Sequence, residues 1–535
     1  MRQNRLSKSL MIAVVLIFSA NLCFASSTDP GANSTGDRIN ESSKVFLKDA
    51  KDLLKPQAVW DNFYNLTMVA RPSHHEEQIS AYLADFGRGL KLETVVDEVG
   101  NVLIRKPATS GMESRTGVIL QAHMDMVAQK NADKDFDFLK DPIESYVEDG
   151  WVKANGTTLG ADDGIGVAII MAILQDKELV HGPLEALFTV NEEDGFTGVN
   201  GLKPDLLQGK IYINVDSETE GEFTIGSAGG LYVDAKDNYS EEMTPSEMAG
   251  FVIRIKGLKG GHSGVDIGLG RGNAGKILSR LLWTSHRLFG LRVSSFDGGD
   301  RYNAIPREAD AVVAVPVDEA DSFARYVQEF QATVQNELSA TEPDLVILAE
   351  KTDPPAKVMD AQSAISLISA VYGCPNGVMR MSDAVPGLVE TSSSMGILKA
   401  GNGEFWAGFY VRSAIDSARD DLGNMILSVF ELAGGNVSFA DSYSGWAPNP
   451  ESPILGLMKQ IYQEESGHEP KVIAIHAGLE TSVVGDKYPE MDMISIGPTL
   501  QDVHTPNERL EVSTVQKVYD LITGTLMAIP ANGSS

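Results

Sequence analysis

Gly117-Val-Ile-Leu-Gln121 is a short apolar run that ends in His123-Met124-Asp125. A run of this length and composition forms a buried strand. The histidine and the aspartate sit two residues apart, so in extended geometry both side chains leave the same face. The aspartate can then accept a hydrogen bond from one imidazole nitrogen and leave the other free for a metal. A lone histidine at a strand end serves packing more often than ligation, so the rest of the chain has to supply partners.

It supplies them at the ends of further apolar runs. Asn155 to Val167 contains Asp162-Asp163 among glycines and leads into an apolar helix, Val167 to Leu174. Glycine there lets the backbone turn tightly and approach something closely. One aspartate is accounted for by helix capping, which leaves the second over. Leu184 to Val190 reads as a strand that delivers Asn191-Glu192-Glu193-Asp194, and Ile211 to Val215 as another that delivers Asp216. Met493 to Ile496 precedes His504. Strands alternating with helices imply an α/β sheet, whose ligand sites gather beyond the C-terminal strand ends. Helical spacing is expected over Lys48–Leu66, Glu76–Leu90, Asn273–Trp283 and Thr514–Met527, and a hairpin over Val95–Ile104 around Gly100-Asn101.

Composition narrows the chemistry. The formal net charge of −30 disfavours nucleic acid as a partner. Arg2, Arg5 and Lys8 precede the apolar run Leu10–Ala20, in the order of a secretory signal peptide with cleavage near Ala25. An exported protein, periplasmic or secreted and with no membrane span in its mature form, is the expectation. Cleavage removes Cys23 and leaves Cys374 alone, so no disulfide and no thiolate cluster is expected. Any metal is held by His, Asp and Glu. Imidazoles with hard oxygen ligands suit two divalent ions: zinc, manganese or cobalt. Two ions about 3.5–4 Å apart need a bridging carboxylate, for which Asp162 in its glycine-flanked turn is placed. Of Glu192 and Glu193, one can ligate while the other takes a proton from a metal-bound water and passes it to a leaving amine. The spacing alone does not order the two.

His123-Met-Asp-Met-Val127, Gly160-Ala-Asp-Asp-Gly164, Asn191-Glu-Glu-Asp-Gly195, Gly260-Gly-His-Ser-Gly264 and His504-Thr-Pro-Asn-Glu508 together resemble the co-catalytic dinuclear zinc peptidases, among them aminoacylase, carboxypeptidase G and carnosinase. Asn214-Val-Asp-Ser-Glu218, Arg301-Tyr-Asn-Ala-Ile-Pro306, Tyr410-Val-Arg-Ser413 and His476-Ala-Gly-Leu-Glu480 narrow the resemblance to the aminoacyl-histidine dipeptidase branch. The resemblance implies an α/β catalytic domain, a mixed sheet flanked by helices, interrupted by an inserted α+β lid that also serves as a homodimer surface in many relatives. It implies His123 and Asp216 on one ion, Glu193 and His504 on the other, and Asp162 on both. Glu192 becomes the general base, Asp125 the orienter of His123, and His262 the lid residue that polarises the scissile carbonyl. Asn303 and Arg412 become the groups that hold the substrate carbonyl and the C-terminal carboxylate.

The domain reading is a signal peptide over 1–25, a disordered stretch over 26–43, catalytic parts over 44–229 and 477–535, and the lid over 230–476. The functional expectation is hydrolysis of unblocked dipeptides, Xaa-His preferred. The alternatives are an N-acyl-amino-acid amidohydrolase, a broader di- or tripeptidase, or a non-catalytic exported binding protein on the same scaffold. His476 and Glu480 match the motif without an assigned chemistry, and His74, His75 and His181 read as structural or surface residues.

Overall fold

The structure, a computed structural model, describes residues 44–531, so the expected signal peptide and the stretch over 26–43 lie outside the described residues. The strand that ends in His123 runs from Val118 and sits inside an eight-stranded mixed sheet. It is parallel to Leu184–Thr189 on one side and to Ile211–Asn214 on the other. Ile211–Asn214 is in turn parallel to Asp492–Ser495. The C-terminal ends of these strands therefore share one edge.

Strand Val118–His123 is buried along its whole length because both of its faces are covered. Val118, Leu120 and Ala122 enter one core with Trp60, Phe63, Ile169 and Ile522, whereas Ile119 enters a second with Tyr212, Val483 and Met493. The helix Ala161–Gln175 is apolar around its circumference for the same reason, being buried from Gly164 to Leu174. The expected hairpin is present as Glu93–Val96 against Val102–Lys106. Asp97 closes its turn by accepting from the backbone N–H of Val99, Gly100 and Asn101.

Two expectations are corrected. The helix over Lys48–Leu66 is broken: Leu47–Ala50 and Lys51–Leu53 form short turns, and Gln57–Leu66 starts afresh after Pro56. Proline has no N–H and pushes the residue before it out of helical geometry. The return from the inserted part comes earlier than residue 477. Helix Pro453–Ser466 puts Ile454, Leu455 and Met458 into the large core, and Lys471–Ile475 pairs in parallel with Glu222–Ser227 of the large sheet. An apolar helix face and a five-residue strand carry no label for the sheet they join, so the sequence pattern could not place them.

The inserted part is built on an antiparallel sheet that runs, edge to edge, from Val346–Thr352 to Asn436–Tyr443. Helices Ala274–Phe289, Ala320–Glu337, Ala361–Gly373 and Asp416–Leu432 contribute to its main core, beside which Ile267, Ile305 and Val389 form a small separate cluster. The fold class is thus the expected one, an α/β unit interrupted by an α+β unit. Cys374 is buried and free. No helix of the described residues is long and apolar enough to cross a membrane.

Candidate active site

His123 is 1% exposed, and its Nε2 lies 3.1 Å from Asp162 Oδ1 and 3.4 Å from Asp216 Oδ1. Its Nδ1 lies 3.3 Å from Asp125 Oδ1, beyond a charge-assisted hydrogen bond, and has no hydrogen-bond partner among the described residues. Asp125 is fully buried and does more than face the imidazole. It accepts from Ser73 Oγ at 2.8 Å and from the backbone N–H of Glu192 at 3.0 Å, which fixes the turn carrying Glu192 and Glu193. On the other side, Asp162 Oδ2 is 3.1 Å from His504 Nε2, and Glu193 Oε2 is 3.0 Å from the same nitrogen. The two oxygens of Asp162 thus face two different histidines.

Three overlapping donor groups result, each with its ligand atoms within 4.8 Å of one another: His123–Asp162–Asp216, Asp162–Glu193–His504 and His123–Glu192–Glu193. Carboxylates outnumber imidazoles in this cluster, and the imbalance shows in their acidity. Burial, followed by the surrounding acids, pushes the Asp216 carboxyl up to about 6. The Glu192 carboxyl is raised well above the usual range, chiefly by burial. Hydrogen bonds to Asp162 and Glu193 push His504 up to about 11. Glu193 Oε1 is buried without a hydrogen-bond partner among the described residues. Crowded acids, two imidazoles and a partnerless carboxylate oxygen form a donor set that fits divalent cations.

The turn that presents Asp162 is held from three directions. Asp163 Oδ1 accepts from the N–H of Gly166 at 3.1 Å, so it is the capping aspartate and Asp162 is left for the cavity. The buried Arg71 guanidinium donates to the carbonyls of Met124 at 3.1 Å, Asp125 at 2.9 Å and Gly160. Glu508 accepts from the N–H groups of Leu159, Gly160 and Ala161 at 2.7, 3.0 and 2.7 Å. The glycines therefore make room for Arg71: a Cβ at Gly160 would lie 2.6 Å from Arg71 Nη2, and one at Gly164 would collide with the same nitrogen. Arg71 went unnoticed in the sequence because a single arginine in a loop is ordinarily solvated. Glu508 was visible as the last residue of a motif, but with no role attached to it.

His262 comes from the inserted part of the same chain and lines a cavity of about 550 Å³ together with Asp162, Glu192, Glu193, Asp216 and His504. Its Nδ1 accepts from the N–H of Gly264 at 3.2 Å and of Val265 at 3.1 Å, which leaves Nε2–H as the donor. Burial and the neighbouring Arg412 lower its basicity and favour the neutral ring. Arg412 is 4% exposed and stacks on the Tyr410 ring at 3.9 Å, with no carboxylate paired to it among the described residues. It is not a surface ion pair. Asn303 is exposed; its carbonyl accepts from Ser263 N–H at 2.8 Å, beside His262, but it is not part of the cavity wall.

The unassigned motif residues have structural partners. Glu480 is fully buried and accepts from Gln121 Nε2 at 2.6 Å and Thr189 Oγ1 at 2.7 Å. Gln121 Oε1 accepts in turn from Asn214 Nδ2 at 2.6 Å, so this network ties three strands together beneath the site. His476 Nε2 lies 2.7 Å from Ser392 Oγ, joining the large unit to the inserted one. His74 Nε2 sits 2.8 Å from Asp194, next to Glu193, and His181 Nδ1 donates to the Gly182 carbonyl at 2.6 Å.

Comparison with known proteins places the chain in a family. The model of "Peptidase family M20/M25/M40" matches residues 119–528. The chain is 43% identical over 478 residues to the cytosol non-specific dipeptidase of Escherichia coli strain K12, an alignment covering 89% of this chain and 99% of the relative. The crystal structure of aminoacylhistidine dipeptidase from Vibrio alginolyticus superposes with a TM-score of 0.86 at 42% identity, covering 90% of this chain and 99% of that one. Aminopeptidase PepT from Bacillus cereus shares the fold at a TM-score of 0.52 and 16% identity, over 89% of this chain and 99% of that one. The expectation of an exported protein is overturned here. The relative that aligns with 89% of the chain is a cytosol enzyme, and the expectation rested on the composition of the first 25 residues alone. Family model, sequence identity and superposition agree: the chain belongs to peptidase family M20/M25/M40.

Proposed function

We propose that this chain is a metal-dependent dipeptidase that hydrolyses unblocked dipeptides, with Xaa-His substrates preferred. The observation that carries the reading is the pair of donor groups that share Asp162, with Glu192 beside them. His123 and Asp216 would hold one ion, Glu193 and His504 the other, and Asp162 both; zinc suits the set, as do manganese and cobalt. Bound there, the ions would supply Lewis acidity, acidifying water and polarising the scissile carbonyl.

The remaining steps belong to the chain's own residues. Asp125, with Oδ1 3.3 Å from His123 Nδ1, would orient the His123 ring by a short shift toward it. Glu192 takes a proton from the attacking water on its carboxylate and delivers it to the leaving amine nitrogen. His262 donates Nε2–H to the carbonyl oxygen as charge develops there. Arg412, buried without a carboxylate partner, receives the substrate's C-terminal carboxylate through its planar fork, and Asn303, beside His262, holds the substrate carbonyl. Glu192→Gln is expected to keep its metal content by elemental analysis while turnover of alanyl-histidine falls by a factor on the order of 10²–10⁴. A variant that hydrolysed alanyl-histidine like the parent would remove Glu192 from this role.

A second reading, broader side-chain tolerance, is favoured by the name of the Escherichia coli relative, a non-specific dipeptidase. A panel of alanyl-histidine, alanyl-alanine, glycyl-leucine and N-acetyl-histidine separates the readings. Equal kcat/KM on the first three points to breadth, and cleavage of the fourth to an amidohydrolase.

A further inference from the structure

The cavity that holds the donor groups has one acid that nothing else in the described structure uses. Of its acidic lining residues, Asp162, Glu192, Glu193 and Asp216 belong to the donor groups, and Glu222 pairs with Lys471 Nζ at 2.7 Å. Glu218 is in no donor group, and its side chain has no hydrogen bond or ion pair among the described residues. It is nevertheless not a loose surface side chain. Ser217 N–H donates to the Ile496 carbonyl at 3.2 Å, Leu500 N–H to the Glu218 carbonyl at 3.0 Å, and Glu220 N–H to Thr499 Oγ1 at 3.2 Å. The backbone on both sides of Glu218 is thereby tied down, and its carboxylate is presented, accessible to solvent, at the cavity wall.

The charges around it limit what it can receive. No lysine or arginine of the described residues lines the cavity. The buried Arg412 lies close to His262 in the inserted part, near enough to lower the basicity of its ring. A substrate with one positive and one negative end meets an unpaired carboxylate in the wall and, next to His262, a guanidinium with no carboxylate paired to it among the described residues. A ligand that lacked the positive end would leave Glu218 facing other acids without compensation, which is unfavourable.

We propose that Glu218 receives the free ammonium group of an unblocked dipeptide and so selects against N-acylated substrates. The inference rests on the dipeptidase reading above and extends it to a residue that decides which amides are accepted.

The test uses the zinc-loaded full chain carrying Glu192→Gln, and titrates alanyl-histidine and its desamino analogue, propionyl-histidine, by calorimetry. The dipeptide is expected to bind more tightly than the analogue. Adding Glu218→Gln is expected to weaken the dipeptide on the order of 10- to 100-fold, the worth of a hydrogen bond to a charged group, and to leave the analogue unchanged. Metal content per chain is expected to stay the same. Equal affinity for both ligands before the second substitution, equal weakening of both after it, or binding of neither would overturn the proposal. Loss of metal from the Glu218→Gln chain would do the same, by making Glu218 an ion ligand. Hydrolysis of alanyl-histidine by the unsubstituted chain is measured alongside. Its absence, with discriminating binding retained, would count against the dipeptidase reading and leave the role of Glu218 standing.

Discussion

At the scale of single residues, the site depends on how little freedom Asp162 has. Glu508 accepts from consecutive N–H groups before it, Arg71 gathers three carbonyls around it, and Asp163 takes the capping role behind it. A buried guanidinium or carboxylate is tolerated only when its hydrogen-bonding capacity is met, and these groups meet one another's needs through the backbone. Gly160 is where this arrangement is least forgiving, because its φ is +67° and a Cβ would lie 2.6 Å from Arg71 Nη2 and 2.8 Å from Met126 Sδ. Gly160→Ala is therefore expected to destabilise the chain by about 1–3 kcal/mol through crowding, with left-handed backbone strain added. Urea denaturation would show it as a lowered midpoint, and an unchanged midpoint would mean that Arg71 moves aside at no cost. The donor residues were legible in the sequence because His123, Glu192, Glu193 and Asp216 follow apolar runs and Asp162 sits in a glycine-flanked turn that precedes one. Arg71 was not, because its acceptors, the carbonyls of Met124, Asp125 and Gly160, lie 53 to 89 positions further along the chain.

At the scale of elements, the parallel strands at the centre of the large sheet are held in register by side chains as well as by backbone. Gln121, Thr189, Asn214 and Glu480 form a buried polar layer directly under the ends that carry His123, Glu192 and Asp216. Burial, as the largest cause, pushes the Glu480 carboxyl up to about 8. Its unfolded value is near 4.3, so between those two pH values the folded chain holds a proton that the unfolded chain releases. Stability contributed by the neutral carboxyl is then present below about pH 4 and is lost as pH rises toward 8. Glu480→Gln keeps a neutral amide in the same place and is expected to flatten the fall in Tm between pH 5 and pH 8, at fixed metal concentration. Parallel Tm profiles for parent and variant would show that Glu480 is ionised in the fold. The motif around Glu480 could be read from the sequence; its duty as a strand tie could not, since Gln121 lies 359 positions away.

At the scale of the whole molecule, the two units meet where Gly264 passes the backbone of His476. A Cβ at Gly264 would collide with the His476 carbonyl oxygen and would lie 3.0 Å from His262 Cε1 and 3.1 Å from Arg412 Nε. Alanine at this position has to push the inserted part away from the large one, or displace His262. Gly264→Ala is expected to lower kcat by a factor of about 10² or more with metal content unchanged, since a misplacement near 1 Å is enough for such a loss. Unaltered kcat would show that the contact between the units gives way freely. In the sequence, Gly260-Gly-His-Ser-Gly264 could equally have been a plain strand-to-helix turn. The reason for its last glycine is a carbonyl 212 residues further along the chain.

Local pattern was sufficient for the apolar strands that lead to the site, some of the helices, the donor residues at strand ends and the α/β class, because periodicity and ligand chemistry are properties of neighbouring residues. Motif order was sufficient for the family. What only the tertiary structure decided is everything that depends on packing between distant segments. That includes the return of residues 453–475 to the large sheet and the two histidines facing opposite oxygens of Asp162. It also includes the presence of His262 in its own chain's cavity and of Glu218 as that cavity's one unengaged acid. Hydrogen bonds and steric contacts act through space, and a chain that folds back on itself brings together partners that its linear order keeps apart.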